Sequence, residues 1–360
     1  MKIHLFIAGT GGVGKALIAQ IRNKQGFLRQ SVGIDIVVNG IINSRLMRLS
    51  QQGISLDELL EEGVEWREAD LSSFITFIQR LQIPNAVFAD LSASPQVAAS
   101  YLDLIQNGIH IVACNKIACS APMAHYARLK SAVKERGVSF LYNTNVGAAL
   151  PFLQTIRQLH EAGERIGRIE AILSGTLSYI FGRYDGTQPF AHIVREAHQL
   201  GYTEPDPRID LQGIDVLRKL LILCREIEIP LEEKEVIKTP FLPESCLQGS
   251  LDDFYRVLLN EEESFKQCYA EAKEQGGKLK YVATYDNGKA CIGLQIIFPE
   301  HLTYHLSPKD NALLIYSQNY PSPLTVVGAG AGTEVTAMGV LSDIITVANE
   351  LKNSKQHGYF

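Results

Sequence analysis

The chain has 360 residues beginning with Met1, with 46% hydrophobic and 20% charged, a balance that fits a globular protein and excludes a disordered one. Its net charge is −5, from 34 Lys and Arg against 39 Asp and Glu, with no long run of either sign, so neither a nucleic-acid nor an anionic-membrane partner is expected. The six cysteines form no CxxC pair and no His lies at zinc-finger spacing, which argues against a metal cage or disulfide framework and for thiols in a reducing, cytoplasmic setting.

The length suggests two folding units. The first apolar run, Ile3 to Ala8, ends in glycines rather than in a small-residue cleavage site, so it reads as a buried strand and not as a signal peptide. No stretch approaches the apolar length of a membrane span. Val13, Ala16, Leu17 and Ile21 then recur at helical spacing. Between strand and helix stands Gly9-Thr10-Gly11-Gly12-Val13-Gly14, a G-x-G-x-x-G turn. In this context Gly9 permits the tight turn, Gly11 lets backbone approach a pyrophosphate, and Gly14 allows close packing of the helix, whose N-terminus faces the phosphates. A nicotinamide dinucleotide is the expected cofactor.

Ile36 to Ile42 is the second strand. An NAD enzyme is expected to carry a carboxylate at its end for the ribose 2′-hydroxyl; here the chain reads Asn43-Ser44-Arg45, and Arg45 suits a 2′-phosphate. NADP is therefore favoured and NAD stays possible. Arg45 is also readable as a solvated surface charge, and Arg48 stands near enough in sequence to share its task. Ala86 to Leu91, Ile109 to Ala113 and Val138 to Tyr142 read as further strands, alternating with helices over Pro95 to Gln106 and Met123 to Arg136. This rhythm predicts an α/β, Rossmann-like, doubly wound parallel sheet. Asn115-Lys116 follows a strand end, where ligands of such sheets collect, although a surface lysine approaching a helix reads the same way.

Near residue 150 the rhythm changes. Pro151 opens a helix toward His160, Ile169 to Leu173 is a strand, and Ser178 to Tyr184 looks helical. Ser174-Gly175-Thr176 offers hydroxyl and N–H donors for a carboxylate, or simply a helix cap. Gly201-Tyr202-Thr203-Glu204-Pro205-Asp206-Pro207-Arg208-Ile209-Asp210 is a proline-stiffened acidic loop leading into a helix over Leu211 to Cys224. Asp210 could cap that helix, Asp206 reads by itself as a turn residue, and Asp215 and Lys219, four apart, share one helix face. By physics alone that pair reads slightly better as a solvent-facing ion pair. A desolvated lysine beside a carboxylate would instead suit proton exchange at a carbonyl, with Glu204 holding an ammonium. Residues 225–250 are mixed, with three prolines. Asn287-Gly288 inside Tyr281 to Ile297 signals a hairpin, Leu313 to Ser317 and Leu324 to Val327 read as strands, and Gly328 to Gly332 leads into a long helix over Glu334 to Leu351. The expected organisation is a dinucleotide-binding domain over 1–150 plus 330–360 and a second, α+β, substrate-binding domain over 151–329.

The runs Ile172 through Phe181 and Gly201 through Lys219 resemble the signature of homoserine dehydrogenases. Cys114-Asn115-Lys116, Asn145-Val146-Gly147-Ala148, and Gly328 through Gly339 with Thr336-Ala337 extend the likeness over nearly the whole chain. Asn43-Ser44-Arg45 is similar to the dehydrogenase half of bifunctional aspartokinase–homoserine dehydrogenases; neither the kinase half nor a regulatory extension is expected here. The resemblance implies NADP-dependent, reversible reduction of L-aspartate 4-semialdehyde to L-homoserine, in threonine, methionine and isoleucine biosynthesis, by a homodimer built through the second domain. It assigns proton exchange to Lys219, orientation of substrate and water to Asp215, and a second essential lysine to Lys116. Thr176, Tyr202, Glu204 and Asp210 match the substrate pocket, and Ser92 and Gly332 lie near the cofactor. Val146, Ala148 and Leu150, with position 143, match backbone-carbonyl ligands of a sodium ion. Two positions depart from the family pattern: Asn143 stands where the family carries Glu, and Ser92-Ala93-Ser94 where it often carries Thr-Ser-Ser. Two rivals are another amino-acid dehydrogenase, acting for example on aspartate, and a catalytically silent NADP-binding subunit.

Overall fold

In the computed structural model, which describes residues 1–60 and 66–357, the first apolar run becomes β1 (Lys2–Ala8). Its alternate side chains are buried on opposite faces, Ile3, Leu5 and Ile7 on one and Phe6 on the other, so it occupies the middle of a sheet. The strands that join it are β2 (Asp35–Ile42), β3 (Leu46–Ile54), β4 (Arg67–Glu68), β5 (Ala86–Asp90), β6 (His110–Ala113) and β7 (Phe140–Leu141), in the order β4-β3-β2-β1-β5-β6-β7. From β2 to β7 all pairings are parallel, whereas β3 and β4 add on antiparallel. The chain leaves β1 for β2 on one side and later returns to β5 on the other, which makes the ends of β1 and β5 the switch point where ligands of this fold bind.

One face of this sheet is aliphatic. Ile3, Leu5 and Ile7 meet Leu17 and Ile21 of the helix Gly12–Phe27, and Val340, Leu341, Ile344 and Val347 of the last helix, Thr333–His357. The spacing of that second set is the apolar stripe of a buried helix face. The other face is aromatic, a chain of ring contacts from Phe6 through Phe74, Phe88, Tyr101 and Phe140 to Tyr142. Met1–Ala149 and the chain from Gly332 onward form one compact unit; Leu150–Ala331 forms the other.

The second unit is a six-stranded sheet of β8 (Ile166–Ile172), β9 (Val236–Thr239), β10 (Lys278–Asp286), β11 (Lys289–Ile297), β12 (Asp310–Ser317) and β13 (Leu324–Ala329). Its order is β13-β12-β8-β10-β11-β9, antiparallel except for the β11–β9 pair. The β10–β11 hairpin turns at Asn287-Gly288, both at positive φ (45° and 92°), as the sequence leads one to expect.

Several elements escape the sequence reading. β3 carries Gln51, Gln52 and Gly53 and half-buried side chains, so it lacks the apolar alternation of a recognisable strand. The amphipathic helices Leu71–Leu81, Phe190–Gln199, Leu251–Asn260 and Glu262–Glu274 also go unread. The helix expected over Pro95 to Gln106 is broken at Ser100, and the strand expected over Val138 to Tyr142 shortens to Phe140–Leu141. Among the described residues no helix is long and apolar enough to cross a membrane.

Candidate active site

In the first unit the site begins with backbone. Gly9 sits at φ 108°, and a β-carbon there would lie 2.8 Å from the carbonyl carbon and oxygen of Leu91. A β-carbon on Gly14 would lie 2.3 Å from the carbonyl oxygen of Gly9, which fixes how closely the helix meets the turn. Gly11 differs: among the described residues, and apart from its own chain neighbours and helix backbone, nothing lies within 4 Å of where its β-carbon would be. It caps the helix Gly12–Phe27 without a side-chain hydrogen bond, the arrangement in which a helix N-terminus can receive a phosphate. Gly12 faces Thr333 at the head of the last helix, and a β-carbon on Gly12 would lie 3.2 Å from the threonine side chain. Gly332 precedes that helix at φ 131°, its carbonyl accepting from the N–H of Thr336 at 2.9 Å.

A groove of about 730 Å³ opens over this turn, lined among others by Gly9, Gly11, Asn43, Ser44, Arg45 and Ser92. Asn43 is committed to the protein: its Nδ2 donates to Thr10 Oγ1 (2.8 Å), and its Oδ1 accepts from the N–H groups of Arg45 and Leu46 (2.8 Å each). It builds the turn that presents Ser44 and Arg45, both exposed. The Arg48 guanidinium pairs with Glu58 at 2.5 Å.

At the ends of β5 and β6 a buried cluster centres on Asp90. Its carboxylate accepts from Ser92 N–H (2.8 Å), Ser92 Oγ (2.6 Å), Tyr101 Oη (2.6 Å) and Asn115 Nδ2 (3.0 Å). Burial raises the Asp90 carboxyl above its ordinary range, and these four donors oppose that rise. Lys116, half-buried, heads the short helix Ile117–Ser120.

Asn143, Val146 and Ala148 lie in a buried loop of the same unit, with Gly147 and Ala148 both at positive φ (80° and 52°). The Asn143 side chain donates to Asp343 Oδ1 at 2.6 Å and its N–H to Asp343 Oδ2 at 3.2 Å. Asn143 Oδ1 and Thr144 Oγ1 are buried without a hydrogen-bond partner among the described residues. Leu150 opens the second unit, its side chain against the backbone of Gly328.

The second unit assembles its cluster from side chains. The helix Gly175–Arg183 starts one turn earlier than expected, because Ser174 Oγ accepts from the Leu177 N–H at 3.1 Å; Ser174 is a cap. Thr176, on the first turn, donates from Oγ1 to the Tyr202 carbonyl and lies 3.2 Å from Asp210 Oδ1. Asp210 Oδ2 accepts from the Glu204 N–H at 2.8 Å. Thr176, Tyr202, Glu204 and Asp210 are thus brought together, with the Glu204 side chain and the Tyr202 ring exposed. Burial raises the Asp210 carboxyl above its usual range, and the charges of Glu204 and Asp215 add to the rise.

Asp210 does not cap the following helix. The expected helix over Leu211 to Cys224 is two: Pro207–Leu211, capped by Asp206, and Ile214–Arg225. Gly213 separates them at φ 68°, where a β-carbon would lie 2.3 Å from Tyr281 Oη. Asp206 is a turn residue, accepting from the Arg208 N–H and bound by its guanidinium at 2.7–3.0 Å.

Lys219 overturns the solvent-facing reading. Its side chain is 11% exposed against 49% for Asp215, and Nζ lies 2.7 Å from both Asp215 Oδ2 and the Leu173 carbonyl. A lysine so desolvated is held in one place by two acceptors. Asn311, unremarked in the sequence, is buried beside it and donates to the same Leu173 carbonyl at 3.4 Å. Asp90, Tyr101 and Asn311 escape sequence reasoning because a strand-end carboxylate, a core tyrosine and a strand-start amide carry no local pattern.

Family profiles match both units of the chain. The profile of homoserine dehydrogenase matches residues 151–345, and that of the homoserine dehydrogenase NAD-binding domain matches residues 9–143. The bifunctional aspartokinase/homoserine dehydrogenase 2 of Escherichia coli (strain K12) is 36% identical over 356 residues, 97% of this chain and 44% of that protein. Its chloroplastic counterpart from Zea mays is 38% identical over 353 residues, 96% of this chain and 38% of that protein. The chain therefore spans less than half the length of these relatives. Among solved structures, a protein of unknown function from Candida auris superposes with TM-score 0.89 at 27% identity, covering 97% of this chain and 98% of the other. A hyperthermophilic archaeal homoserine dehydrogenase in complex with NADPH shares the fold, with TM-score 0.76 at 22% identity over 97% of this chain and 98% of that one.

Proposed function

The chain belongs to the homoserine dehydrogenase family, a family of NAD(P)-dependent oxidoreductases, and on that premise we propose that it reduces L-aspartate 4-semialdehyde reversibly to L-homoserine with NADP as the preferred dinucleotide. The observation that carries this reading is the desolvated Lys219 ammonium, held at 2.7 Å by Asp215 and by the Leu173 carbonyl.

When bound, the dinucleotide supplies or accepts the hydride. The chain's residues do the rest. Gly9 to Gly14 with Ser44 and Arg45 hold the phosphates, and Ser92 and Gly332 border the cofactor. Lys219 gives its proton to the carbonyl oxygen as reduction proceeds and takes it back in the reverse direction, while Asp215 orients substrate and water. Lys116 adds positive charge at the same oxygen, the form of stabilisation that acts most strongly away from water. Glu204, exposed at the end of its loop, takes the substrate ammonium. Thr176, Tyr202 and Asp210 shape the pocket so that the aldehyde is held in a reactive pose.

A sodium ion on the backbone carbonyls of the loop Asn143 to Ala148, with Leu150, belongs to the same reading; the burial of that loop, where the side-chain oxygens Asn143 Oδ1 and Thr144 Oγ1 also lack a hydrogen-bond partner among the described residues, suits it. A melting temperature that rises in sodium relative to choline chloride is expected, and equal values remove the ion. A homodimer in the cytoplasm completes the proposal, and light scattering at a monomer mass would correct it. The decisive assay follows NADPH and NADH oxidation with L-aspartate 4-semialdehyde. Turnover with NADPH, faster than with NADH, is expected; dinucleotide binding without turnover would leave the silent-subunit alternative standing.

A further inference from the structure

Lys116 stands between Asn115, which hangs from a buried carboxylate, and Ile117, which is tied back to Asn115. Before it, Asn115 Nδ2 donates to Asp90 Oδ2 and to the Ser94 carbonyl, each at 3.0 Å. After it, the Ile117 N–H donates back to Asn115 Oδ1 at 3.1 Å. The carbonyl of Lys116 itself accepts from the N–H and the hydroxyl of Ser120, both at 2.9 Å. The Lys116 backbone is therefore fixed from both sides, and Asp90 is the anchor to which the Asn115 arm is tied.

The second arm of Asp90 holds the loop that borders the dinucleotide groove. Ser92 donates twice to Oδ1, and Ser92 Oγ in turn accepts from the Ser94 N–H at 3.1 Å. Asn115 closes the circuit by binding the Ser94 carbonyl. The carboxylate is steadied from behind by Tyr101, fully buried, whose ring packs edge-on between Phe88 and Phe140 at centroid distances of 6.5 and 5.7 Å. Register places Asp90 level with Ala8 at the end of β1 and with Ala113 at the end of β6, directly beneath the switch point of the sheet. Four donors converge on two oxygens, which only an ionised carboxylate satisfies fully.

We propose that Asp90 is a positioning residue: through Asn115 it sets the place of the Lys116 side chain, and through Ser92 it locks that lysine to the loop that lines the cofactor groove. This rests on the reading in which Lys116 acts in the reaction. An amide at position 90 keeps the shape but turns an NH₂ group toward donors, so the Asn115 and Ser92 arms can no longer both be held. Displacement of a reacting group by about 1 Å costs on the order of 10²-fold in rate, and that is the loss expected of kcat.

The test is a double-mutant cycle on turnover of L-aspartate 4-semialdehyde with NADPH, using Asp90→Asn, Lys116→Ala and the pair, with NADPH affinity and melting temperature measured for each. Asp90→Asn is expected to lower kcat by roughly 10- to 100-fold, with a smaller change in KM. In the Lys116→Ala background the same change is expected to cost no more than about threefold, because the group it positions is gone. Losses that multiply would show that Asp90 serves general stability or some other group, and would overturn the proposal. Tyr101→Phe, which keeps the packed ring and removes one donor, is expected to move kcat in the same direction by less and to show the same dependence on Lys116; it carries the cycle if Asp90→Asn does not fold. A wild-type chain inert toward the aldehyde, or a Lys116→Ala variant of full activity, would overturn the reading on which this rests and the proposal with it. An active wild type with multiplying losses overturns the proposal alone.

Discussion

The two units build their candidate sites in contrasting ways. In the first, the dinucleotide turn is six consecutive residues whose role depends on backbone: what matters at Gly9, Gly11 and Gly14 is where a β-carbon cannot go. In the second, the cluster draws on Leu173, Thr176, Tyr202, Glu204, Asp210, Asp215, Lys219 and Asn311, gathered from three helices, two strand ends and a loop. A backbone site is written locally and tolerates change everywhere except at a few glycines. A side-chain site exists only once the fold has closed, and each member is held by others.

The largest effect that could break this contrast is at Lys219. Lys219→Ala is expected to lower turnover by about 10²–10⁴-fold, the range of general acid–base contributions, while NADPH affinity stays within a factor of two or so. Near-normal steady-state turnover would detach the second unit's cluster from the reaction.

Within the first unit the glycines sharpen the comparison. Gly14→Ala drives a β-carbon to within 2.3 Å of the Gly9 carbonyl oxygen, and overpacking of this kind costs about 1–3 kcal/mol of stability in denaturant titration. Gly11→Ala meets nothing within 4 Å among the described residues beyond its own chain neighbours and helix backbone, so the melting temperature should hold while NADPH affinity, read by fluorescence, falls by roughly tenfold or more. Equal loss of stability in both variants would mean that the turn is a folding element only.

Acid offers a third contrast. His110 is buried, with its pKa lowered to about 4 by desolvation, and its Nδ1 accepts from the Ser139 N–H at 3.0 Å, so the folded ring is neutral. Above the unfolded value near 6.5 it has no pH effect. As pH falls from 6.5 toward 4 the unfolded chain binds a proton the folded chain refuses, and stability drops by about 2 kcal/mol between pH 7 and pH 5. His110→Gln should flatten that slope in urea titrations, and an unchanged slope would refute the assignment. The smallest effect is at Arg45: Arg45→Ala is expected to raise the KM for NADPH about tenfold, as for loss of a hydrogen bond to a charged group, and to leave that for NADH unmoved.

The legibility of the chain follows the same division. Strands buried on both faces, such as Ile3 to Ala8, and the Asn287-Gly288 hairpin stand out because pattern and turn chemistry are local. β3 does not, since a strand near the sheet edge can carry polar residues on both faces. The break at Gly213 is hidden because the left-handed residue that divides two helices looks, in sequence, like one glycine inside a single helix. Lys219 is readable as a helix-face lysine but not as a buried one, because the Leu173 carbonyl that holds its ammonium lies 46 residues away. Asp90 is invisible for the same reason: its partners at 92, 101 and 115 meet only through the sheet.

The last helix, Thr333–His357, completes the aliphatic core around β1, so the first unit is assembled from both ends of the sequence. A ribosome releases the chain from its start, and domains generally fold as they emerge. The middle segment, Leu150–Ala331, is therefore whole before the earlier-made strands receive their final covering helix. Until residues 333–357 have been made, Ile3, Leu5 and Ile7 lack one of their two helical neighbours, and the nascent chain carries a greasy sheet face that other proteins can stick to.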